Sequence, residues 1–444
     1  MLLLAVVLIV IGLIFGGNDM KSIEYVASGT SHTRVLNNSV FENYEIVDMI
    51  NRYFSDMNDK NNHKFSLLYN AYTEKNFGEK FLEHYRKSLY AIHADSGGLQ
   101  IVTRGFKITD ELKDEIYKTQ AKSSDVAMCF DDIPIGIIGE KSERMDVANR
   151  YFDKDRLEEF ARRTGKNIRR QIEIFLDEKS KAKPYLIAQG NCYDTYMKWV
   201  EYILDEIPKS HRKYIGGLAM GAAALGTGSL EDIERAAYAT KLPLEMEEPH
   251  LHILGVGSIQ RLLPYLMFAK NGYYPDNIHI SYDSTTHTCG LSMGTYFLNK
   301  TIQINRDFAN PIYRTIYNDV NSKYDLESKG ISLKEFHESI NTNSSYYMSE
   351  DKIDKRQLEV YYNVIFSYLL SSISNFTHQV DRALKEKNYI FELAEKNKIG
   401  REISALSNIT DIDTFIKWKN EIQNDIKSRK VMNEKPNTLE DFFQ

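Results

Sequence analysis

Tyr90-Ala91-Ile92-His93-Ala94-Asp95-Ser96-Gly97-Gly98-Leu99-Gln100 is a short apolar run that ends in a carboxylate and two glycines. It reads as a buried strand followed by the turn that leaves the sheet. The same figure recurs along the chain. Apolar runs over 23–27, 65–69, 90–93, 126–130, 185–188, 214–217, 251–256 and 278–282 make eight candidate strands. Helical patterns, with apolar residues three and four apart, lie between most of them, as over 41–54, 110–120, 155–178 and 193–204. Strands alternating with helices indicate a parallel sheet. Eight such units within about 270 residues have the size of a (β/α)8 TIM barrel. The expected fold class is therefore α/β, with the barrel over 20–310.

Beyond 310 the pattern changes. Residues 357–376 read as a buried helix with Leu358, Tyr361, Ile365 and Leu369 on one face. Residues 381–396 and 414–430 read as charged helices. Residues 311–444 are expected to form an α-helical appendage.

Composition narrows the class. The 444 residues carry 56 basic and 62 acidic side chains, a net charge of −6. A hydrophobic share of 42% supports a real core and excludes a disordered chain. The acidic balance excludes a generic polycation, so any nucleic-acid contact must come from a local basic face. Cys129, Cys192 and Cys289 are far apart and form no C-x-x-C pair. Thiolate zinc and disulfide stapling are both disfavoured, which fits a reducing, cytoplasmic setting. Residues 1–17 are apolar without a charge, at the lower limit of about 17 residues for a membrane span. Three readings stand for 1–19: an anchor, a signal, or an extension upstream of a start at Met20.

Polar residues gather behind six consecutive strands. Asp95 and Ser96 follow the third, Asp131 and Asp132 the fourth, and Gln189 the fifth. Gly217-Leu218-Ala219 follow the sixth, Gly255 and Gly257 the seventh, and Asp283 the eighth. In barrels of this kind, catalytic groups sit at the C-terminal strand ends. Two carboxylates across one barrel mouth suit displacement at a sugar carbon, one attacking and the other managing protons. Gln189 and Asp131 offer an amide and an acceptor pair able to read the edge of a guanine-like base. Taken singly, each of these residues is as well explained by turn punctuation.

Together the segments resemble a known family. Asp95-Ser96-Gly97-Gly98-Leu99-Gln100 is similar to the D-S-G-G-[FY]-Q signature of tRNA-guanine transglycosylases. Five further segments follow in order: Ser124-Asp125-Val126 to Phe130-Asp131-Asp132, Ala188-Gln189-Gly190, Ile215-Gly216-Gly217-Leu218-Ala219-Met220-Gly221, Leu254-Gly255-Val256-Gly257, and Tyr282-Asp283-Ser284. The resemblance covers roughly 65–295. It implies that Asp283 is the nucleophile and Asp95 the general acid/base. It implies that Ser96, Asp131, Gln189 and the Gly217-Leu218 backbone recognise the base, with Leu99, Leu254 and Gly255 around it. The family carries an aromatic where Leu99 stands, so stacking is weaker here. No organic cofactor is implied.

The departures matter as much. The family's C-x-C-x-x-C…H zinc motif is absent, and no metal is expected. Ser284-Thr285-Thr286-His287-Thr288-Cys289 stand where the tRNA enzymes have an arginine-bearing P-T-R stretch. Ala222 stands where the bacterial tRNA enzymes have the glutamate that helps accept an aminomethyl base. The chain therefore resembles the zinc-lacking, DpdA-like branch that exchanges guanine in DNA for a 7-deazaguanine. The implied partners are DNA, with tRNA as the alternative, a 7-deazaguanine base, and proteins that open the duplex. A catalytically silent nucleic-acid-binding barrel is a further alternative, against which the two retained carboxylates argue.

Two other features invite function. Residues 162–183 carry eight basic and three acidic side chains. Arg162, Arg163, Lys166, Arg169 and Arg170 are candidates for a phosphate-binding face, with Lys209, His211, Arg212 and Lys213 extending it. A solvated helix face explains them equally well. Glu247, Glu248, His250 and His252 have the residue types of a metal cluster, but solvated or hydrogen-bonded histidines are the commoner outcome at a strand start.

Overall fold

The computed structural model describes residues 22–28, 38–59, 63–98, 108–137, 150–221, 229–240, 249–290, 295–297, 301–303, 355–406, 409 and 414–421, with short pieces between 314 and 336. Eight strands form its centre: β1 Ser22–Ala27, β2 His63–Asn70, β3 Ile92–Asp95, β4 Val126–Met128, β5 Lys183–Ala188, β6 Gly217–Met220, β7 His250–Ile253 and β8 His279–Ser284. Each pairs in parallel with its sequence neighbours, and β8 pairs with β1 to close the barrel. The helices between them are α1 Tyr44–Asp59, α2 Lys75–Tyr85, α3 Asp110–Ser123, α4 Leu157–Asp177, α5 Tyr193–Glu206, α6 Ser229–Ala239 and α7 Ile259–Lys270. The expected (β/α)8 TIM barrel with a helical C-terminal region is the fold.

Local sequence explains the helices. Thr109 caps α3 by accepting from the Leu112 N–H, and Asp110 and Glu111 sit in its first turn, where carboxylates oppose the dipole. In α4, Leu157, Phe160, Ala161, Thr164, Ile168, Gln171, Ile172 and Phe175 recur at helical spacing and are buried against the barrel.

The eighth place in the outer ring is filled late. After β8 the described chain forms a short helix, Thr286–Gly290, and an antiparallel pair, Thr295–Phe297 with Thr301–Gln303. The long helix α8, Lys355–Lys385, then lies against α1 and α7. Phe366 meets Tyr53 and Phe54 of α1, at ring separations of 6.1 and 5.7 Å. Leu369, Leu370, Ile373 and Phe376 are buried, each such side chain contributing about 1.5–3 kcal/mol. A polar link joins helix and barrel. His63 on β2 lies 3.2 Å from Asp381 on α8 and 2.8 Å from the Tyr282 hydroxyl. Burial holds its imidazole below the usual range although Asp381 pulls the other way. Helices α9 Lys387–Lys396 and α10 Gly400–Leu406 continue the chain against α7.

The barrel lumen is polar. Side chains alternate along a strand, and one set from each of four strands turns inward: Glu24 on β1, His93 and Asp95 on β3, His250 and His252 on β7, and His279, Ser281 and Asp283 on β8. Glu24, His93, His252 and Ser281 show 0% exposure, so each must find a partner inside. Glu24 accepts from His93 at 2.8 Å and His279 at 2.7 Å. These two imidazoles hold its carboxyl well below the usual range against the opposing effect of burial.

Among the described residues no helix is long and apolar enough to cross a membrane. The apolar stretch 1–19 lies outside them.

Candidate active site

The C-terminal strand ends bring Asp283, Gly255, Asp95, Ser96, Asp131 and Gln189 together. Asp283, near the end of β8, is held from three sides. The Gly255 N–H donates to Oδ1 at 2.7 Å, and the Ser28 hydroxyl donates to Oδ2 at 3.3 Å. His252 Nε2 lies 3.4 Å from Oδ1, while its Nδ1 meets Ser281 Oγ at 2.8 Å. Burial lowers the His252 pKa, and Asp283 opposes the shift. His252 thus braces the carboxylate from below. Gly255 has φ +68°, a conformation natural to glycine. Its carbonyl accepts from Arg261 of α7 at 2.7 Å, and Arg261 is paired with Asp232 of α6 at 3.0 Å.

Asp95 ends β3. Desolvation lifts its carboxyl to about 6, the neighbouring Asp283 charge adds to the rise, and the Gly97 and Ser96 N–H groups oppose it. Carboxyls raised in pKa in this way mark groups poised to move protons near neutrality. Gly97 has φ +76°, and a Cβ there would stand 2.8 Å from Asn70 Oδ1. The turn therefore needs glycine to pass that close to β2. Asn70 Nδ2 lies 3.5 Å from Asp95 Oδ2.

Asp131, three residues beyond β4, faces the same mouth. A Cβ on Gly98 would touch its carboxyl at 3.4 Å, so the Asp95 turn and Asp131 are neighbours. Gln189, just past β5, donates Nε2–H to Asp131 Oδ2 at 2.8 Å. Burial pushes the Asp131 carboxyl up to about 7, the Gln189 bond draws it down, and Asp95 raises it again. Gln189 Oε1 is buried without a hydrogen-bond partner among the described residues. Helix α4 clamps this corner: Asn167 donates to the Phe130 carbonyl at 3.0 Å, and Thr164 accepts the Asp132 N–H at 2.9 Å. Asp132 turns outward to Arg163 at 2.8 Å.

Ser96 is buried beside Asp95, its hydroxyl 3.4 Å from the Gly98 N–H. Leu254 follows β7, partly buried. Gly217 and Leu218 are elsewhere. The sixth strand, expected over 214–217, spans Gly217–Met220 instead. Gly217 and Leu218 pair with Tyr185 and Leu186 and so sit low in the barrel. A side chain at Gly217 would strike the inward Tyr185 ring, which is why small residues open this strand. Backbone at the mouth comes instead from Gly221, which abuts the Gln189 amide. Leu99, Ala222, Glu247 and Glu248 lie outside the described residues.

The basic face is largely neutralised. Arg162 pairs with Glu158 and Glu206, Arg163 with Asp132 and Glu159, Arg169 with Glu173, and Arg170 with Asp114. Lys166 is exposed on the same helix. Exposed pairs of this sort are weak, yet the face presents far less free positive charge than its basic residues suggest. His250 and His252, alike in sequence, part company. His252 serves Asp283, and His250 joins Glu24 and His279 lower down. Arg261 and Glu24 escape a reading of strand ends because nothing local distinguishes them, whereas Ser28 follows the first strand and carries the same signal as the others.

No family model matches the chain, and no curated protein matches it. Among solved structures 51 chains match. One is the homocysteine methyltransferase MmuM from Escherichia coli in its apo form, 11% identical over 60% of this chain and 90% of that one, with a TM-score of 0.33. A likeness this loose says nothing of chemistry.

Proposed function

We propose that the chain is a transglycosylase that exchanges guanine in DNA for a 7-deazaguanine base, with 7-cyano-7-deazaguanine as the incoming form. The observation that carries this reading is the pairing, at one mouth, of two coupled carboxylates with two buried acceptors. Asp95 and Asp283 suit displacement at an anomeric carbon. Asp131 and the unpartnered Gln189 Oε1 suit the N1–H and exocyclic amine of a guanine.

The target nucleotide leaves the stack to reach the mouth. Asp283 attacks the anomeric carbon, and the bond to guanine breaks as Asp95 gives its proton to the departing base. The product is an ester between Asp283 and the sugar. Asp95, now ionised, takes a proton from the incoming 7-deazaguanine, whose ring nitrogen displaces Asp283. Two inversions give net retention. DNA is favoured over tRNA by the absence of arginine in Ser284-Thr285-Thr286-His287-Thr288-Cys289 and by Ala222.

Incubation of the full chain with isotope-labelled guanine and either single-stranded DNA or tRNA tests the reading. Label entering DNA alone is expected. Label entering tRNA alone assigns the same chemistry to the other polymer, and label entering neither refutes the proposal.

A further inference from the structure

The lumen below the carboxylate pair holds a cluster that base exchange does not use. At the N-terminal end of the barrel, Glu24, His250 and His279 each offer a ligand atom within 4.8 Å of the other two. They stand on the adjacent strands β1, β7 and β8, where His279 is in register with both His250 and Ser22. Glu24 Oε2 lies 2.7 Å from His279 Nε2 and 4.0 Å from His250 Nε2.

Each of the three is also held from behind. The Tyr185 hydroxyl hydrogen-bonds His250 Nδ1. Ser22 Oγ lies 3.0 Å from His279 Nδ1, and His93 Nε2 lies 2.8 Å from Glu24 Oε1. The far atom of every ligand is engaged, and the near atoms turn to a common point, which is how an outer shell orients metal ligands. His250 Nε2 is buried and has no hydrogen-bond partner among the described residues. That orphaned nitrogen is aimed into the cluster and calls for an electrophile.

The geometry points to a second site here, one that holds a zinc-class divalent transition ion through Glu24 Oε2, His250 Nε2 and His279 Nε2. Two imidazoles and one carboxylate suit zinc and its neighbours, whereas calcium and magnesium favour all-oxygen shells. Bonds of about 2.0–2.1 Å in a tetrahedron put ligand atoms about 3.3 Å apart. The observed 2.7 and 4.0 Å bracket that value, so a small turn of the Glu24 carboxylate suffices. Binding the ion displaces the proton that His279 Nε2 shares with Glu24, and the proton on Nδ1 is then donated to Ser22 Oγ. Three protein ligands leave a fourth position for water. The ion ties β1, β7 and β8 together at the end of the barrel that serves stability rather than chemistry.

The test is element analysis of the full chain, purified without chelator or histidine tag, with a cobalt(II) titration followed by visible absorbance and by melting temperature. About one zinc per chain is expected, with tetrahedral cobalt bands and a melting temperature that rises on metal addition. His250→Gln and His279→Gln should lose the ion, and His84→Ala on α2 should keep it. Tyr185→Phe should weaken binding about 10- to 100-fold. Should the histidine variants fail to fold, the wild-type and Tyr185→Phe titrations decide. A metal-free wild type without cobalt bands overturns the proposal. So does metal retained in both histidine variants, or an unchanged affinity in Tyr185→Phe.

Discussion

Gly255 donates its N–H to Asp283 Oδ1 across 2.7 Å. A backbone amide on the loop after β7 thus joins Ser28 and His252 in fixing the carboxylate on β8 that is proposed as the nucleophile. The loop is itself fixed from outside the mouth, since Arg261 holds the Gly255 carbonyl and Asp232 holds Arg261.

Arg261→Met should therefore slow base exchange without touching substrate. A misplacement of about 1 Å at the reacting centre costs about 100-fold in kcat. KM for DNA and for the incoming base should change little. An unchanged kcat would show that Gly255 needs no such support.

Asp283→Ala should abolish exchange while the barrel stays folded. Among the described residues the carboxylate beside it, Asp95, is assigned to proton transfer, so the loss should reach about 10^4-fold or more. Wild-type protein should give a protein–DNA adduct on a denaturing gel, and the variant none. An adduct of equal yield in Asp283→Ala would move the nucleophile elsewhere.

The pH profile follows from two raised carboxyls. In the proposed reaction guanine release needs Asp95 protonated, with a pKa of about 6, and Asp131 ionised to accept the base, with a pKa of about 7. The required form rises as Asp131 ionises and falls as Asp95 does, so kcat/KM should peak near the midpoint, about 6.5. The two groups are coupled, so the limbs belong to the pair. Asp95→Asn should remove the alkaline limb along with most of the rate.

Asp131 also carries a stability cost that can be measured. Its folded pKa lies above its unfolded one, so the folded state binds the extra proton and loses stability as pH rises from about 4 to about 7. Asp131→Asn mimics the neutral acid and escapes that loss. Its melting temperature should exceed the wild type's at pH 8, and the gap should close toward pH 4. Exchange activity should fall, because the amide presents a donor where guanine needs an acceptor. A gap independent of pH would contradict the assignment.

What was legible in the sequence were features that a strand carries within itself. Apolar runs ending in acid, amide or glycine located seven of the eight strands to within a few residues, along with Asp95, Asp131, Gln189 and Asp283 at their ends. The sixth strand slipped because Tyr214-Ile215 look like strand, while the real strand opens on Gly217, chosen by the Tyr185 ring across the lumen. No local pattern encodes that contact. The buried charge of Glu24 was hidden for the same reason: its partners His93 and His279 stand on other strands. The buried helix expected over 357–376 was assigned to the appendage, whereas Lys355–Lys385 packs against α1 and α7 of the ring, helices far from it in sequence. The arginines of α4 read as a phosphate-binding face only while their carboxylate partners, three or more residues away and on other helices, were out of view.

The proposed reaction is guanine exchange in DNA through Asp283. Its most direct test is nucleoside mass spectrometry of DNA and tRNA from cells that express the chain and make 7-deazaguanine precursors. A 7-deazaguanine deoxynucleoside should appear in the DNA digest, vanish with Asp283→Ala, and leave tRNA indistinguishable from cells without the chain. DNA free of any such nucleoside despite folded protein, or carrying it equally with Asp283→Ala, would rule that reaction out.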